Sequence, residues 1–366
     1  LGYMFMQCIS GKLIDIIGVY RGFAITVVIW SIAAAGHALA TGALSLGALR
    51  FVLGLGEAGN WPASIKVVAT WFPPRERATA TGLFNSGSII GAMISAPLIA
   101  WMALTVGWRW AFVLTGATGF IWMALWLIFY RSPKTHPRLS PEELTHIQTV
   151  NGANEGKANE PVPTWFQLLR LRKVWGLIIA RIFSDPVWWF WVFWLPEYLK
   201  NARGFGMEAI GRYAWIPFLT AGVGSLVGGM ASSRMVRRGA VPIRARKFVM
   251  LWAAIGMLSG IPAVLTSSAQ LAIAFLSVAT FCYCVWASNI LTIPADLFPD
   301  SLVGSVAGIA GTGAAFGGMI FTLATGLLVD HFSYTPVFFI AGAMPLVSIT
   351  VLYTMVRGGE ADRSAA

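Results

Sequence analysis

In a chain of 366 residues, 57% hydrophobic side chains, 11% charged side chains and a mean hydropathy of +0.70 exclude an ordinary soluble domain. The formal charge of +11 has the sign that nucleic acid attracts, but its placement excludes that partner. About 20 of the 26 Lys and Arg fall in alternate loops and the C-terminal tail, about four in the opposite loops, and two, Arg50 and Arg181, inside apolar runs. This is the positive-inside pattern of a polytopic, all-α membrane protein. It places Lys12–Arg21, Lys66–Arg77, Arg131–Lys173, Arg234–Lys247 and the tail after Met355 in the cytoplasm.

About eleven apolar runs, most of them near the 20 residues needed to cross a hydrocarbon core, occupy 1–10, 23–42, 44–64, 78–103, 108–130, 174–199, 209–232, 247–266, 269–294, 302–328 and 333–356. Five precede the long polar loop and six follow it. The chain opens on Leu1 inside an apolar run, so a further helix is expected before it, restoring six plus six with both termini inside. The expected organisation is a first helical bundle over 1–130, a cytoplasmic loop over 131–173, and a second bundle with a short tail over 174–366.

Taken in order, the first run carries Tyr3 and Gln7 and leads into a glycine-bearing loop, Gly11–Arg21, that holds Lys12, Asp15 and Arg21. His37 stands alone on the next run near its outer end, where interface placement is expected. The third run contains Arg50 to Lys66, reading RFVLGLGEAGNWPASIK, and puts an arginine and a glutamate inside the membrane. Such charges cost roughly 2.5 to 3.5 kcal/mol at mid-membrane, so they are expected to face a water-filled cavity or a partner. Arg50 and Glu57 stand about two turns apart, some 10 Å along the axis, on nearly one helix face. Asn60 and Pro62 mark a break in the backbone ladder, and Gly54, Gly56 and Gly59 allow close helix approach.

A repeat follows. Phe72-Pro73 recurs as Phe298-Pro299, and Gly82, Gly87 and Gly91 recur as Gly308, Gly313 and Gly317, every pair offset by 226. Gly11–Arg21 recurs in outline at Gly229–Gly239, offset by about 218, with Ser233 at the position of Asp15. A duplicated six-helix bundle is expected, with substrate near mid-membrane where the halves face each other. The glycine pairs 87/91 and 313/317 suit close helix crossings in each half.

In the long loop, Ser140-Pro141-Glu142-Glu143 reads as a capping box with Pro at the first helical position, which predicts a short helix, and Asn151–Pro163 reads as a flexible linker. In the run after it, Arg181 and Asp185 stand one turn apart before Pro186 and are expected to pair at a kink. Trp188, Trp189, Trp191 and Trp194 read mainly as an interfacial aromatic belt, with the Trp188/Trp191 face able to stack on a sugar ring. Asn85, Ser88, Ser288 and Asn289 are the remaining polar side chains of note in the spans. They either bridge helices or, for Tyr3, Asn85 and Asn289, orient substrate hydroxyls. Cys8, Cys282 and Cys284 lie in spans, and the four histidines are scattered, so no disulfide framework, metal site, cofactor or enzyme centre is expected.

Gly11-Lys-Leu-Ile-Asp15-Ile-Ile-Gly18 resembles the loop signature between the second and third helices of the major facilitator superfamily. Arg50 to Gly82 resembles its anion:cation symporter family, and within it the proton-coupled hexuronate (galacturonate/glucuronate) transporters. The resemblance covers essentially the entire chain. It implies the twelve-helix major facilitator fold with its first helix absent here, and a secondary transporter importing a carboxylated sugar or related organic anion with protons by alternating access. An organic anion exchanger or a drug exporter of the same fold is the alternative reading. Read this way, Arg50 binds the anion together with Tyr3, Gln7, Asn60, Asn85, Arg181 and Asn289, and Tyr3 and Gln7 match cavity-lining positions. Glu57 and Asp185 are the proton-coupling candidates, and Asp15, Arg21, Arg75 and Arg77 form the conformational switch. The expected partners are a small organic anion, protons and the lipid bilayer, for a monomer in a bacterial-type inner membrane with its C-terminus in the cytoplasm.

Overall fold

A computed structural model describes residues 1–152, 163–206 and 213–357. Its described part is helical. The first helices are α1 (Gly2–Ile17), α2 (Val19–Gly36), α3 (Ala43–Glu57), α4 (Asn60–Trp71), α5 (Pro74–Thr105) and α6 (Trp108–Phe129), followed by α7 (Pro141–Gly152) and α8 (Trp165–Leu168). After them come α9 (Arg172–Asn201), α10 (Ile216–Arg237), α11 (Pro242–Met257), α12 (Gly260–Leu265), α13 (Ala269–Ile290), α14 (Ile293–Leu297), α15 (Asp300–His331) and α16 (Tyr334–Met355). Among the described residues, nine stretches are long and apolar enough to cross a membrane. α1 and the broken pair α3/α4 account for the difference from the eleven runs, each piece falling short of 18 residues.

Local chemistry sets the boundaries. The loop expected over Gly11–Arg21 is mostly helix: α1 continues to Ile17 and the chain turns at Gly18 alone, whose φ of 84° is the left-handed region that glycine enters without penalty. The break expected at Asn60 and Pro62 falls at Ala58–Gly59, and Pro62 sits in the first turn of α4, where a missing N–H costs little. The capping box forms as read: the Glu143 N–H donates to Ser140 Oγ at 3.1 Å, and the Ser140 N–H donates to Glu143 Oε2 at 3.2 Å. The linker at Asn151–Pro163 lies largely outside the described residues.

The repeat is carried by the helix bounds. α5 and α15 each have 32 residues and begin 226 positions apart, at Pro74 and Asp300, while α6 and α16 each have 22 and begin at Trp108 and Tyr334, again 226 apart. Phe72-Pro73 and Phe298-Pro299 immediately precede the two long helices.

Two compact units form. The first comprises Leu1–Pro73, Ile94–Leu168 and Phe298–Thr312, and the second Pro74–Met93, Leu169–Leu297 and Gly313–Ala366. In the first, α2 packs on α3 and α6, and its core gathers Ile14, Phe23, Val27 and Ala63. In the second, α10 packs on α13 and α9 on α16. Trp191 is 2% exposed and its ring meets Phe190 and Phe338, so this tryptophan belongs to the core and not to an interfacial belt. His37 is likewise buried: its Nδ1 donates to the Ala33 carbonyl at 2.6 Å and its ring stacks on Phe112.

Candidate functional site

Two arginine–carboxylate constellations emerge, built in opposite ways. In the first unit, α3 presents Arg50 and Glu57, both exposed. They are near enough for the arginine charge to act on the carboxylate, yet neither makes an ion pair within 4 Å among the described residues. Tyr3 is beside them because α1 crosses α3 closely: a methyl group on Gly54, one turn before Glu57, would lie 3.0 Å from the Tyr3 nitrogen. Asn60 follows half-buried at the start of α4. This face therefore holds a cation and an acid that no ion pair fixes among the described residues, with the α1 backbone at Tyr3 packed against Gly54 and an amide, Asn60, next along the chain.

In the second unit the charges are closed on each other. Arg181 Nε and Nη2 both donate to Asp185 Oδ2, at 3.0 and 2.7 Å, and Ser184 Oγ donates to Asp185 Oδ1 at 2.9 Å. The two side chains are 9% and 13% exposed, so the pair replaces the water it has lost with its own hydrogen bonds. Pro186 follows without ending the helix, since α9 runs through it. One turn further, Trp188 stacks on Tyr283 of α13 with ring centroids 5.3 Å apart, which occupies one face of the indole.

Three of the amides read as substrate ligands are engaged inside the protein. Asn85 donates from Nδ2 to Ser225 Oγ at 2.9 Å. Asn289, fully buried, donates from Nδ2 to the carbonyls of Val285 and Gly228, at 2.8 and 3.2 Å. Gln7, 2% exposed, presses its side chain against Gly311, and its Oε1 finds no hydrogen-bond partner among the described residues.

Gln7 and Asn85 belong to two helix seams. In the first unit α1 lies against the start of α15: a methyl group on Gly11 would run into the Gly304 carbonyl, and Asp15 accepts from the Gly304 and Ser305 N–H groups at 3.1 and 2.5 Å. Lys66 of α4 closes on Asp15 at 2.5 Å, with the carboxylate fully buried. In the second unit α10 lies against the start of α5 in the same register. A methyl group on Gly229 would run into the Ala78 carbonyl, and Ser233 Oγ accepts from the Thr79 N–H at 3.3 Å. Positions 11, 15 and 7 thus answer to 229, 233 and 225 at an offset of 218, and 304, 305 and 311 to 78, 79 and 85 at 226.

The second seam takes its charges from elsewhere. Asp296, its side chain fully buried, receives Arg77 at 3.3 Å and Arg246 at 3.2 Å. Arg77 also donates to the Ala295 carbonyl, and Arg246 to Ser232 Oγ and to the Pro74 carbonyl at the first residue of α5. Of the four switch residues read from the sequence, Asp15 and Arg77 lie in these buried networks, while Arg21 and Arg75 are exposed, Arg75 beside its neighbour Glu76. Lys66, Arg246 and Asp296 escaped sequence reasoning. The usable signal was a lone acid before the repeated Phe-Pro and two cations next to span ends, where buried partners are needed.

Residues 1–245 and 242–366 match the sequence pattern described as the Major Facilitator Superfamily. The chain belongs to that superfamily. Its relatives include the hexuronate transporter of Escherichia coli, 31% identical over 98% of this chain and 83% of that protein. The galacturonate transporter of Dickeya chrysanthemi is 36% identical over 62% of this chain and 66% of that protein. Among solved structures, the superfamily's proton:xylose symporter bound to 6-bromo-6-deoxy-D-glucose has the same fold, with a TM-score of 0.74 at 15% identity, covering 97% of this chain and 84% of that one. This member of the superfamily is therefore an integral, multi-pass membrane transporter and not an enzyme.

Proposed function

We propose that this transporter imports a carboxylated sugar of the hexuronate kind together with protons. The observation that carries the reading is the α3 face, where Arg50 and Glu57 are exposed and held by no ion pair within 4 Å among the described residues. A charge kept at membrane depth without a fixed partner is available to a ligand, and the guanidinium fork matches a carboxylate bidentately. Glu57, on the same face, takes up the proton: a neutral Glu57 leaves Arg50 free for the anion, so anion and proton favour the same loaded state. Tyr3 and Asn60 orient the sugar hydroxyls from beside this pair. The hexuronate and galacturonate transporters among its relatives support the substrate class.

Arg181 and Asp185 act as a reserve pair in the second half, the arginine meeting the anion and the acid a second proton when their mutual contact opens. Gln7, Asn85 and Asn289 act through helix registration at or beside the seams and reach the substrate only as the helices part. The conformational switch is the pair of seams, Asp15 with Lys66 and Arg77 with Arg246 and Asp296, each released in turn during alternating access. The protein works as a monomer in a bacterial-type inner membrane, its C-terminus in the cytoplasm.

Uptake of labelled galacturonate and glucuronate into proteoliposomes, with and without an inward proton gradient, tests the proposal. Accumulation that requires the gradient and is competed by both sugars is the expected outcome. Gradient-independent counterflow identifies an exchanger, and transport of other organic anions without competition by either sugar ends the hexuronate assignment.

A further inference from the structure

The connection from α10 to α11 carries charge that no described residue neutralises. α10 ends at Arg237, α11 begins at Pro242, and Gly239 turns the chain with a φ of 94°. From Arg234 to Lys247 stand Arg234, Arg237, Arg238, Arg244, Arg246 and Lys247, and no carboxylate. Two of these cations are used inside the protein, Arg246 on Asp296 and Lys247 on the Val356 carbonyl at 2.8 Å. Arg234, Arg237, Arg238 and Arg244 are exposed and form no ion pair among the described residues.

Directly along α11 from Arg244 stand Phe248 and Trp252, at i+4 and i+8 and therefore on one helix face. They are 48% and 60% exposed, their ring centroids 6.5 Å apart, and they lie within a stretch long and apolar enough to span a membrane. Val241, in the turn itself, is 43% exposed. The arginines sit at the ends of two spans, where headgroups lie, and the aromatic pair continues toward the hydrocarbon. A cationic cluster at headgroup depth above an exposed aromatic wall matches both ends of one molecule.

We infer that the α10–α11 hairpin binds an anionic phospholipid, with Arg237, Arg238 and Arg244 on the headgroup phosphate and Phe248 and Trp252 against the acyl chain. A free phosphate shares the headgroup chemistry but leaves the aromatic wall without a role, so the lipid is the occupant. The site is independent of the sugar-acid reading, because none of its five side chains belongs to the α3 face or the seams.

The test titrates the full chain in detergent with phosphatidylglycerol and, separately, with phosphatidylcholine of the same acyl chains, and counts retained lipid by native mass spectrometry. Removing basic side chains near an anionic surface costs about fivefold each, so a wild-type preference of about tenfold or more for phosphatidylglycerol is expected. The preference should shrink as salt is raised. A photoactivatable phosphatidylglycerol should cross-link within residues 234–252. The R237Q/R238Q/R244Q variant should lose the preference and the R237K/R238K/R244K variant should keep most of it. Equal retention of both lipids by the wild-type chain, cross-links only elsewhere, an unchanged preference in the glutamine variant, or displacement of the lipid by equimolar glycerol 1-phosphate would each overturn the proposal. The wild-type arms decide the matter even where a variant does not fold.

Discussion

The two units build one repeated plan with opposite placements of charge. In the first, the seam is locked by a buried carboxylate, Asp15, that satisfies two backbone N–H groups and Lys66, while the charges of the α3 face have no ion-pair partner among the described residues. In the second, the equivalent seam position is the neutral hydroxyl of Ser233, Asp296 carries the negative charge for two arginines, and the mid-span pair Arg181–Asp185 is closed on itself. Equal helix bounds therefore do not imply equal roles. The two units share the backbone register but differ in side chains: Arg50 and Glu57 on α3 form no ion pair among the described residues, whereas Arg181 and Asp185 on α9 pair with each other.

The sharpest test of that contrast is Asp15→Asn against Ser233→Ala. Asn at 15 leaves Lys66, only 7% exposed, without its counter-charge, and breaking a buried pair from one side costs about 3–5 kcal/mol. Ser233→Ala removes a single hydrogen bond at 3.3 Å, worth about 0.5–1.5 kcal/mol. Thermal unfolding of the two purified variants should separate them clearly, and equal losses would mean that the seams are equivalent.

Next in size is the contrast between the two arginines. Arg181→Ala removes the cation paired with Asp185 and should lower folded yield and unfolding temperature, whereas Arg50→Ala, with no ion pair to break among the described residues, should keep yield near wild type and lose substrate affinity. Arg50→Lys should restore charge but not the planar fork, leaving affinity down by about tenfold. Wild-type affinity in Arg50→Ala would make that arginine structural.

Glu57→Gln probes the same face from the acid side. It should express normally, retain downhill exchange and lose gradient-driven accumulation, whereas Asp185→Asn should reduce yield by removing the carboxylate that receives Arg181 Nε and Nη2. Intact proton-driven accumulation in Glu57→Gln would move the coupling role to Asp185.

The smallest effects concern the repeated glycines. A methyl group on Gly317 would run into the Ile182 carbonyl of α9, so Gly317→Ala should destabilise by about 1–3 kcal/mol. Gly91, its counterpart, has nothing within 4 Å of such a methyl group, and Gly91→Ala should be neutral or stabilise by up to about 1 kcal/mol through helix propensity. Matching losses at the two positions would show that α5 is covered as α15 is.

The membrane class, most of the helices, the capping box at Ser140 and Glu143, the i,i+4 pair of Arg181 and Asp185, and the register of the repeat are legible in the residue order alone. All of these depend on residues close in the chain or on composition, where hydrophobic length, caps and helical spacing act without reference to the rest of the molecule. Which charges are paired emerges from the packed chain. Asp15 meets Lys66 across 51 residues and Ser305 across 290, and Arg77 meets Asp296 across 219, separations that no local pattern encodes. The same holds for Trp191 and His37, whose types fit an interface but whose positions are buried by packing against distant helices. A buried polar group must find its partner wherever the fold brings one, and that partner is a property of the packed chain.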